Sequence, residues 1–297
     1  MRVRKIGFIG LGKIGFPICE HLIKNGYTVV GYRRSSLEDF KRLGGVVARS
    51  AAEVGAQAEI VFTCLPNDQA LDEVVCGSGG LLESARPGQI VVEFGSHPVS
   101  VKQQYVAPFM AKQAVFLDGE ISGTPGMVVQ RKGVVYLGGP AEAVKKIEPI
   151  VAAFAESCLH LGDFGAATKV KLVNNFLVAL HIAGTAQAMA LGLSTGIDKD
   201  LLITAVATGS GGSTQFGIRA PWMAERRFMP QQGSAAGLAH YLGTAKDMAD
   251  GAGVATDLLD CLIGVFTRAA PSIGERDVAA IFEYFEANGR SRKEQPA

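Results

Sequence analysis

The sequence lacks a charge excess of either sign. Its 29 Lys and Arg residues are balanced by 28 Asp and Glu residues, so the formal net charge of the 297-residue chain is +1 at pH 7. A nearly neutral protein has no global field that draws it to nucleic acid or to an anionic membrane surface. We therefore expect no nucleic-acid partner, and any anion-binding site must be local.

The sequence also lacks paired cysteines. The five cysteines are odd in number and far apart, with neither a CxxC pair nor a Cys/His spacing typical of zinc ligands; they are Cys19, Cys64, Cys76, Cys158 and Cys261. This usage favours neither a disulfide framework nor a zinc site. We expect no metal, and a reducing cytoplasm is the compartment that fits best.

Uncharged runs of membrane-spanning length are scarce. Residues 176–193 lack formal charge over 18 residues, the lower edge of a spanning length, but they contain His181, Thr185 and Gln187. A helix buried between two domains has the same composition. We therefore expect no membrane span.

Short apolar runs alternate with helical patterns in the first half of the chain. The runs are Lys5–Ile9, Thr28–Tyr32 and residues 60–64, 90–94 and 115–117. This alternation predicts an α/β fold with a doubly wound parallel sheet. After about Gly162 the pattern becomes helical, which predicts a second, all-helical domain joined to the first by a long helix from about residue 165 to 193. We expect the domains to cover residues 1–162 and 163–297.

A glycine-rich segment directly follows the first predicted strand and opens a helix. It comprises Gly10, Leu11, Gly12, Lys13, Ile14 and Gly15. In a dinucleotide site the first glycine permits the tight turn, the second lets the backbone approach a pyrophosphate, and the third allows close packing of helix and strand. Because the segment lies between strand and helix, it predicts a Rossmann-type cofactor site rather than a turn that binds nothing.

The end of the second strand indicates which cofactor is bound. An NAD site has an acidic side chain there for the ribose hydroxyls, whereas this sequence has Arg33, Arg34, Ser35 and Ser36 after Tyr32. Guanidinium groups form charged hydrogen bonds with a 2′-phosphate. A solvated arginine pair is the alternative, but it leaves the missing acidic residue unexplained. The sequence therefore favours NADP(H).

The segment between the predicted domains carries the residues best suited to proton transfer. Lys171 and Asn175 are four residues apart and share a helix face, with Asn174 beside them. Burial lowers the pKa of a lysine, so that its amine can take or give a proton during hydride transfer. The alternative is a solvated N-terminal turn, which describes Lys169 well.

Four blocks of this sequence resemble the beta-hydroxyacid dehydrogenase family, which includes 3-hydroxyisobutyrate dehydrogenase and tartronate semialdehyde reductase. The blocks occur in the family's order and span essentially the whole chain; they are residues 7–15, residues 117–123, residues 162–175 and Lys246-Asp247-Met248. Four blocks in register are far more specific than any one of them alone.

The resemblance implies a role for each matching residue. Lys171 would be the general acid/base, and Asn175, with Asn174 beside it, would hold the substrate. The remaining assignments are a substrate carboxylate at Ser122, Gly123 and Thr124, the nicotinamide side at Leu65, Pro66 and Ser96, and closure over the cofactor by Lys246. Without the family register, Ser122-Gly123 reads as a turn and Lys246-Asp247 as an exposed ion pair.

The sequence departs from the family in its substrate block. Members usually read Asp-Ala-Pro-Val-Ser-Gly-Gly, whereas Gly119, Glu120 and Thr124 stand at the second, third and last of these positions. Glu120 could meet a substrate hydroxyl or amine, or cap a turn. The loop to Gly133 is about two residues longer than usual and carries Arg131 and Lys132.

Together these features imply an NADP(H)-dependent 3-hydroxyacid dehydrogenase or short-chain semialdehyde reductase. Its substrate would be small and bear a carboxylate, and the chain would form a homodimer or homotetramer. One alternative is an imine reductase of the same architecture, although these usually lack the lysine. Another is a non-catalytic cofactor-binding dimerisation module, which should have lost Lys171 or the Ser122-Gly123 element.

Overall fold

A computed structural model describes residues 5–293, with side chains as far as residue 287. The strands are β1 (Lys5–Ile9), β2 (Thr28–Tyr32), β3 (Val46–Val47), β4 (Ile60–Thr63), β5 (Ile90–Glu93), β6 (Val115–Ser122), β7 (Val134–Gly138) and β8 (Ser157–His160). The helices are α1 (Gly15–Lys24), α2 (Glu38–Arg42), α3 (Ala51–Gln57), α4 (Asp68–Cys76), α5 (Leu81–Ser84), α6 (Val99–Gln103), α7 (Val106–Ala111), α8 (Pro125–Val129), α9 (Ala141–Val151), α10 (Ala166–Ser194), α11 (Lys199–Thr208), α12 (Thr214–Ala224), α13 (Ala235–Ala252), α14 (Asp257–Ile273) and α15 (Ile281–Lys293), with a short 3-10 helix at Val278–Ala280.

The eight strands form one sheet in the order β3-β2-β1-β4-β5-β6-β7-β8. All neighbours are parallel except β6 and β7, which pair antiparallel. The chain winds outward from β1 in one direction to β3 and then returns to begin the other half at β4. The order therefore reverses between β1 and β4, and in such sheets ligands bind beyond the carboxyl ends of the strands at this switch point.

Alternate residues of the central strands pack into two separate hydrophobic clusters. Ile6 and Phe8 of β1 lie in one cluster, whereas Ile9 lies in the other. The same alternation recurs in β4, where Phe62 and Val61 lie in different clusters. Because side chains alternate across a strand, the sheet is buried on both faces, which explains why these strands appear in the sequence as continuous apolar runs.

The predicted fold class is confirmed, and the sheet is larger than predicted. β1 and β2 have the predicted bounds, while β6 extends to Ser122, beyond the predicted 115–117. The strands β3, β7 and β8 were not predicted. β3 has only two residues and β8 is largely exposed, so neither gives an apolar run. The extended β6 includes Asp118 and Glu120, whose charges interrupt the apolar run from which a buried strand is predicted.

The chain divides into two compact units, Met1–Lys171 and Leu172–Ala297. The division falls inside α10, after the predicted boundary at residues 162/163. All secondary-structure elements in the described part of the second unit are helices. The core of this unit includes Met189, Phe216 and Phe266. The long predicted helix, residues 165–193, is observed as Ala166–Ser194.

Helix α10 is also the one described helix whose length and apolar composition would allow it to cross a membrane. Core helices of globular proteins have the same length and composition. These two features therefore fit a membrane-spanning helix and a buried core helix equally well. The absence of a membrane span stays a prediction.

Candidate functional site

The glycine-rich turn after β1 is built by two glycines that the fold requires and one that it does not. Gly10 has φ of 93°, and a Cβ there would lie 2.1 Å from the Cys64 carbonyl oxygen. At Gly15 a Cβ would lie 2.1 Å from the Gly10 carbonyl oxygen, whereas at Gly12 it would meet nothing within 4 Å. The open space at Gly12 is what a closely approaching pyrophosphate needs.

The N-terminus of α1 offers a suitable environment for that anion. The N-cap is Ile14, which has no side-chain acceptor, and the first turn contains no acidic residue. The positive end of the helix dipole is therefore not neutralised by the helix's own side chains. These observations fit a dinucleotide phosphate at this turn.

A cavity of about 790 Å³ adjoins the turn and lies within the first unit. It is lined by the glycine-rich segment including Lys13, the end of β2, and residues 77–79. Leu65 and Pro66, predicted beside the nicotinamide, line it as well, and so do Arg33, Arg34 and Ser35. Its volume is within the range of about 300–1,000 Å³ common for ligand pockets.

The two arginines that were predicted to hold a 2′-phosphate have different environments. The Arg33 guanidinium donates to the Leu11 carbonyl at 3.0 Å, to the Ser36 carbonyl and to the Asp39 carboxylate. Hydrogen bonding to Arg33 lowers the pKa of Asp39. Arg34 is 71% exposed and makes one ion pair, at 3.3 Å, with Glu73. Arg33 therefore organises the loop, and Arg34 is the guanidinium better placed for a ligand.

A buried group of charged and polar side chains lies against β6. Lys102 of α6 is fully buried, and its Nζ lies 3.0 Å from Asp118 Oδ1, 3.1 Å from the Gly119 carbonyl oxygen and 3.3 Å from Glu120 Oε1. Asp118 and Glu120 are two residues apart on the strand and so face the same side. Together with Thr168 of α10, these residues form what we call the β6 ionic cluster.

The β6 ionic cluster holds the first turn of α10. Thr168 donates its backbone N–H to Asp118 Oδ2 at 2.9 Å and its hydroxyl to Asp118 Oδ1 at 2.6 Å. A carboxylate at a helix N-terminus also interacts favourably with the helix dipole. The start of α10 is thus fixed to β6 by charge and by two hydrogen bonds.

Lys171 follows one turn later and points back to the same strand. Its Nζ donates to the Ile121 carbonyl oxygen at 2.7 Å, and the residue is 8% exposed. Burial lowers the pKa of Lys171, and attraction to Glu120 opposes part of that change. The amine is therefore held at the end of β6, away from bulk solvent and easier to deprotonate than an exposed lysine.

Glu120 and Ser96, both predicted to face ligands, are partners of each other. The Ser96 hydroxyl donates to Glu120 Oε2 at 2.6 Å, while Lys102 and Thr168 approach Oε1. Burial raises the pKa of Glu120, and the attraction of Lys102 and Lys171 opposes it. With 1% of its surface exposed, Glu120 has both oxygens engaged within the chain.

The predicted carboxylate-binding residues come directly after Ile121. Ser122 ends β6, and Ser122, Gly123 and Thr124 are half-buried. Thr124 caps α8, since its Oγ1 accepts the Met127 N–H at 3.3 Å. The hydroxyl protons of Ser122 and Thr124 are donors of the kind that a carboxylate accepts. The element and the Lys171 amine therefore meet the same end of β6.

The predicted long loop after Thr124 contains a short helix instead. α8 takes up Pro125–Val129, and the exposed Arg131 that follows donates to the Ala152 carbonyl oxygen at 2.7 Å. A helix of five residues is too short to produce an apolar periodicity that would indicate it. Arg131 thus has a partner within the first unit.

The second unit contains the remaining predicted residues. Asn175 is buried, and its Nδ2 has no hydrogen-bond partner within the described residues, whereas Asn174 Nδ2 lies 3.4 Å from Asn175 Oδ1. Lys246 pairs with Asp250 at 3.2 Å and with Asp260 at 3.3 Å. The hydrogen bond with Asp250 is the main cause that raises the Lys246 pKa. Its role toward the cofactor stays a prediction.

A further buried acid, at the end of β5, had not been predicted. Glu93 is fully buried, accepts hydrogen bonds from Thr63 and the Gly95 N–H, and lies 3.5 Å from His97 Nε2. Burial lowers the pKa of His97, but Glu93 and Asp68 outweigh this effect and raise it. Among the described residues, no group of three or more His, Cys, Asp or Glu residues could hold a metal ion.

Two family models match consecutive parts of the chain. Residues 5–162 match the NAD-binding domain of 6-phosphogluconate dehydrogenase, and residues 165–285 match the NAD-binding model of NADP-dependent 3-hydroxyisobutyrate dehydrogenase. The chain belongs to the beta-hydroxyacid dehydrogenase family. The predicted resemblance is thereby confirmed, as is an oxidoreductase with a domain for a nicotinamide dinucleotide.

Relatives in this family act on several small hydroxyacids. L-threonate dehydrogenase of Cupriavidus necator is 33% identical over 76% of this chain and 77% of its own. NAD-dependent L-serine dehydrogenase of Pseudomonas aeruginosa is 27% identical over 96% of this chain and 98% of its own. The family therefore contains hydroxyacid dehydrogenases, which is the activity class that we predict. It also contains an NAD-dependent member, whereas we predict NADP(H) for this chain.

Solved structures share the fold at lower identity. The 3-hydroxyisobutyrate dehydrogenase of Mycobacterium tuberculosis, solved with L-serine, has a TM-score of 0.85 and 24% identity over 96% of this chain and 99% of its own. An imine reductase of Myxococcus stipitatus, solved with NADP+, has a TM-score of 0.64 and 19% identity over 95% of this chain and 99% of its own. Both likenesses concern the fold alone.

Proposed function

We propose that this family member is an NADP(H)-dependent 3-hydroxyacid dehydrogenase that also works in reverse as a short-chain semialdehyde reductase. The observation that carries the proposal is the buried Lys171 amine, 2.7 Å from the Ile121 carbonyl and next along β6 to the Ser122–Thr124 element. A small hydroxyacid has a carboxylate for that element and a hydroxyl for the amine.

The proposed chemistry divides the work among few residues. Lys171 takes the hydroxyl proton during oxidation and returns it during reduction; its lowered pKa favours the neutral amine needed for the first direction. The Ser122 and Thr124 hydroxyls hold the carboxylate. Asn175 Nδ2, which has no hydrogen-bond partner among the described residues, donates to the reacting oxygen. A nicotinamide dinucleotide held by the glycine-rich turn and the adjoining cavity would supply the hydride-transfer chemistry.

The cofactor preference rests mainly on Arg34. We expect Arg34→Ala to raise the KM for NADP+ about tenfold or more while leaving the KM for NAD+ nearly unchanged, because hydrogen bonds to charged groups contribute about 1.5–3 kcal/mol. Steady-state kinetics with both cofactors measures this, and exposed Arg42→Ala is the matched control. Equal losses for both cofactors would contradict the assignment.

The reaction class is tested with parallel substrates. NADPH consumption is followed with succinic semialdehyde, glyoxylate, tartronate semialdehyde and a cyclic imine, and NADP+ reduction with L-threonate, L-serine and 3-hydroxyisobutyrate. We expect turnover with at least one hydroxyacid or semialdehyde. Turnover of the imine alone supports an imine reductase, and cofactor binding without any turnover supports the non-catalytic module.

We also propose that the protein is a cytoplasmic homodimer or homotetramer. Exposed apolar side chains in the second unit support this, among them Val173, Leu177, Leu191 and Leu201. Apolar surface of this kind commonly marks subunit contacts. Light scattering coupled to size-exclusion chromatography gives the mass, and a monomer at micromolar concentration contradicts the assembly.

A further inference from the structure

The β6 ionic cluster contains two carboxyl groups, on Asp118 and Glu120, and one amine, on Lys102. One ammonium, on Lys102, lies between two buried carboxylates, at 3.0 Å from Asp118 and 3.3 Å from Glu120. Asp118 has further compensation, because Thr168 donates two hydrogen bonds to it. Within the part of the chain that the structure describes, Glu120 has the Ser96 hydroxyl and a longer contact with Thr168 besides its share of Lys102. It is the carboxylate that needs a second cation.

Lys171 is the cation that the fold brings to this carboxylate. Its Nζ binds the carbonyl of Ile121, the residue that follows Glu120 on β6. Thr168, which contacts Glu120 at 3.4 Å, lies one turn before Lys171 on α10. Asp118 fixes β6 and α10 to each other through its two hydrogen bonds with Thr168, which keeps Lys171 beside the segment of β6 that contains Glu120.

We propose that Glu120 is the buried counter-ion of Lys171, a positioning residue that sets the basicity of the catalytic amine without contacting the substrate. This inference rests on the proposed role of Lys171. An amine stripped of solvent but facing a carboxylate takes up a proton more readily than one stripped of solvent alone. Glu120 thereby helps Lys171 to accept a proton during oxidation.

Other ionisable groups lie around this pair. Lys102 of α6 has a raised pKa, which keeps it charged, and burial raises the pKa of Cys64, after β4, to about 12, which keeps its thiol neutral. Asp118 lies on β6 itself. Glu93, at the end of β5, acts on Lys102 and is followed by His97. Among the described residues, no ion pair within 4.0 Å joins Lys171 Nζ to Glu120 or to any of these groups, so the charge of Glu120 acts on the amine over a longer buried distance.

The decisive variant is Glu120→Gln, which keeps the side-chain shape and removes the charge. Lys102 then pairs with Asp118 alone, one ammonium to one carboxylate, so the fold should tolerate the change. Because Glu120 raises the pKa of Lys171, its loss should lower that pKa further. We expect the pH midpoint for acetylation of Lys171 by trace acetic anhydride, read by mass spectrometry, to fall by about one unit.

Activity should follow the same shift. The acidic limb of the pH profile of kcat/KM for hydroxyacid oxidation should move to lower pH by a similar amount, since oxidation needs the neutral amine. Exposed Lys169 in the same peptide is an internal control, and Glu142→Gln on the surface of α9 is the matched variant; neither should move. A midpoint for Lys171 that stays or rises overturns the inference.

The acetylation and activity measurements together distinguish failure of the counter-ion role from failure of the proposed function. If Lys171 proves dispensable for turnover, acetylation still reports whether Glu120 acts on its amine. If Lys171 is essential and its midpoint is unmoved in Glu120→Gln, the counter-ion role fails and the dehydrogenase stands. Should the amide variant not fold, Glu120→Met removes the charge at similar volume and must give the same downward shift.

Discussion

Lys171→Met is expected to lower kcat/KM for hydroxyacid oxidation by about 10²- to 10⁴-fold, the range for loss of a general acid/base. Methionine fills much of the same volume without an exchangeable proton. Cofactor affinity should be unchanged, because Lys171 does not line the cavity that the glycine-rich turn and Arg34 line. The measurement is steady-state oxidation together with NADPH binding by fluorescence.

Two further variants separate proton transfer from charge. Lys171→Arg keeps a cation that cannot give up its proton, and it should be nearly as inactive as the methionine variant. Exposed Lys169→Met, two residues earlier on α10, should retain full activity. Wild-type turnover in either Lys171 variant would remove this residue from the mechanism.

Features that depend on local sequence could be predicted, because their cause is local. The glycine-rich turn, with Gly10 in a positive-φ conformation, could be predicted from the spacing of its glycines alone. The same holds for the length of α10 and for the bounds of β1 and β2. Lys171 was singled out by its place at the start of an apolar helix, and the structure shows that it is buried and that its amine donates to the Ile121 carbonyl.

The β6 ionic cluster could not be predicted, because its members are distant in sequence. Lys102 is 16 residues from Asp118, and Thr168 is 50 residues from it. On its own helix Lys102 resembles a surface lysine, and only the strand order brings it under β6. Likewise, adjacent Arg33 and Arg34 look alike in sequence, and only tertiary hydrogen bonds distinguish the loop-building arginine from the exposed one.

Lys102→Met should give the largest loss of stability among these variants. It removes the one ammonium shared by two fully buried carboxylates, and breaking a buried ion pair from one side costs about 3–5 kcal/mol. Urea denaturation followed by circular dichroism measures the free energy of unfolding. Exposed Lys112→Met is the matched control and should change it by less than about 0.5 kcal/mol.

The pH dependence of that loss identifies its cause. Burial raises the pKa of Glu120 and Lys102 opposes that rise, so without Lys102 the pKa of Glu120 in the folded protein should lie still further above its unfolded value. Protonation then favours the folded state, and the deficit shrinks as the pH falls. We expect a smaller deficit at about pH 5 than at about pH 8. Lys102→Met/Glu120→Gln should also recover part of the loss at pH 8, because one fewer buried carboxylate has lost the Lys102 ammonium. A deficit that is independent of pH and unrelieved by the second change would mean that Lys102 contributes packing of its aliphatic chain and not charge.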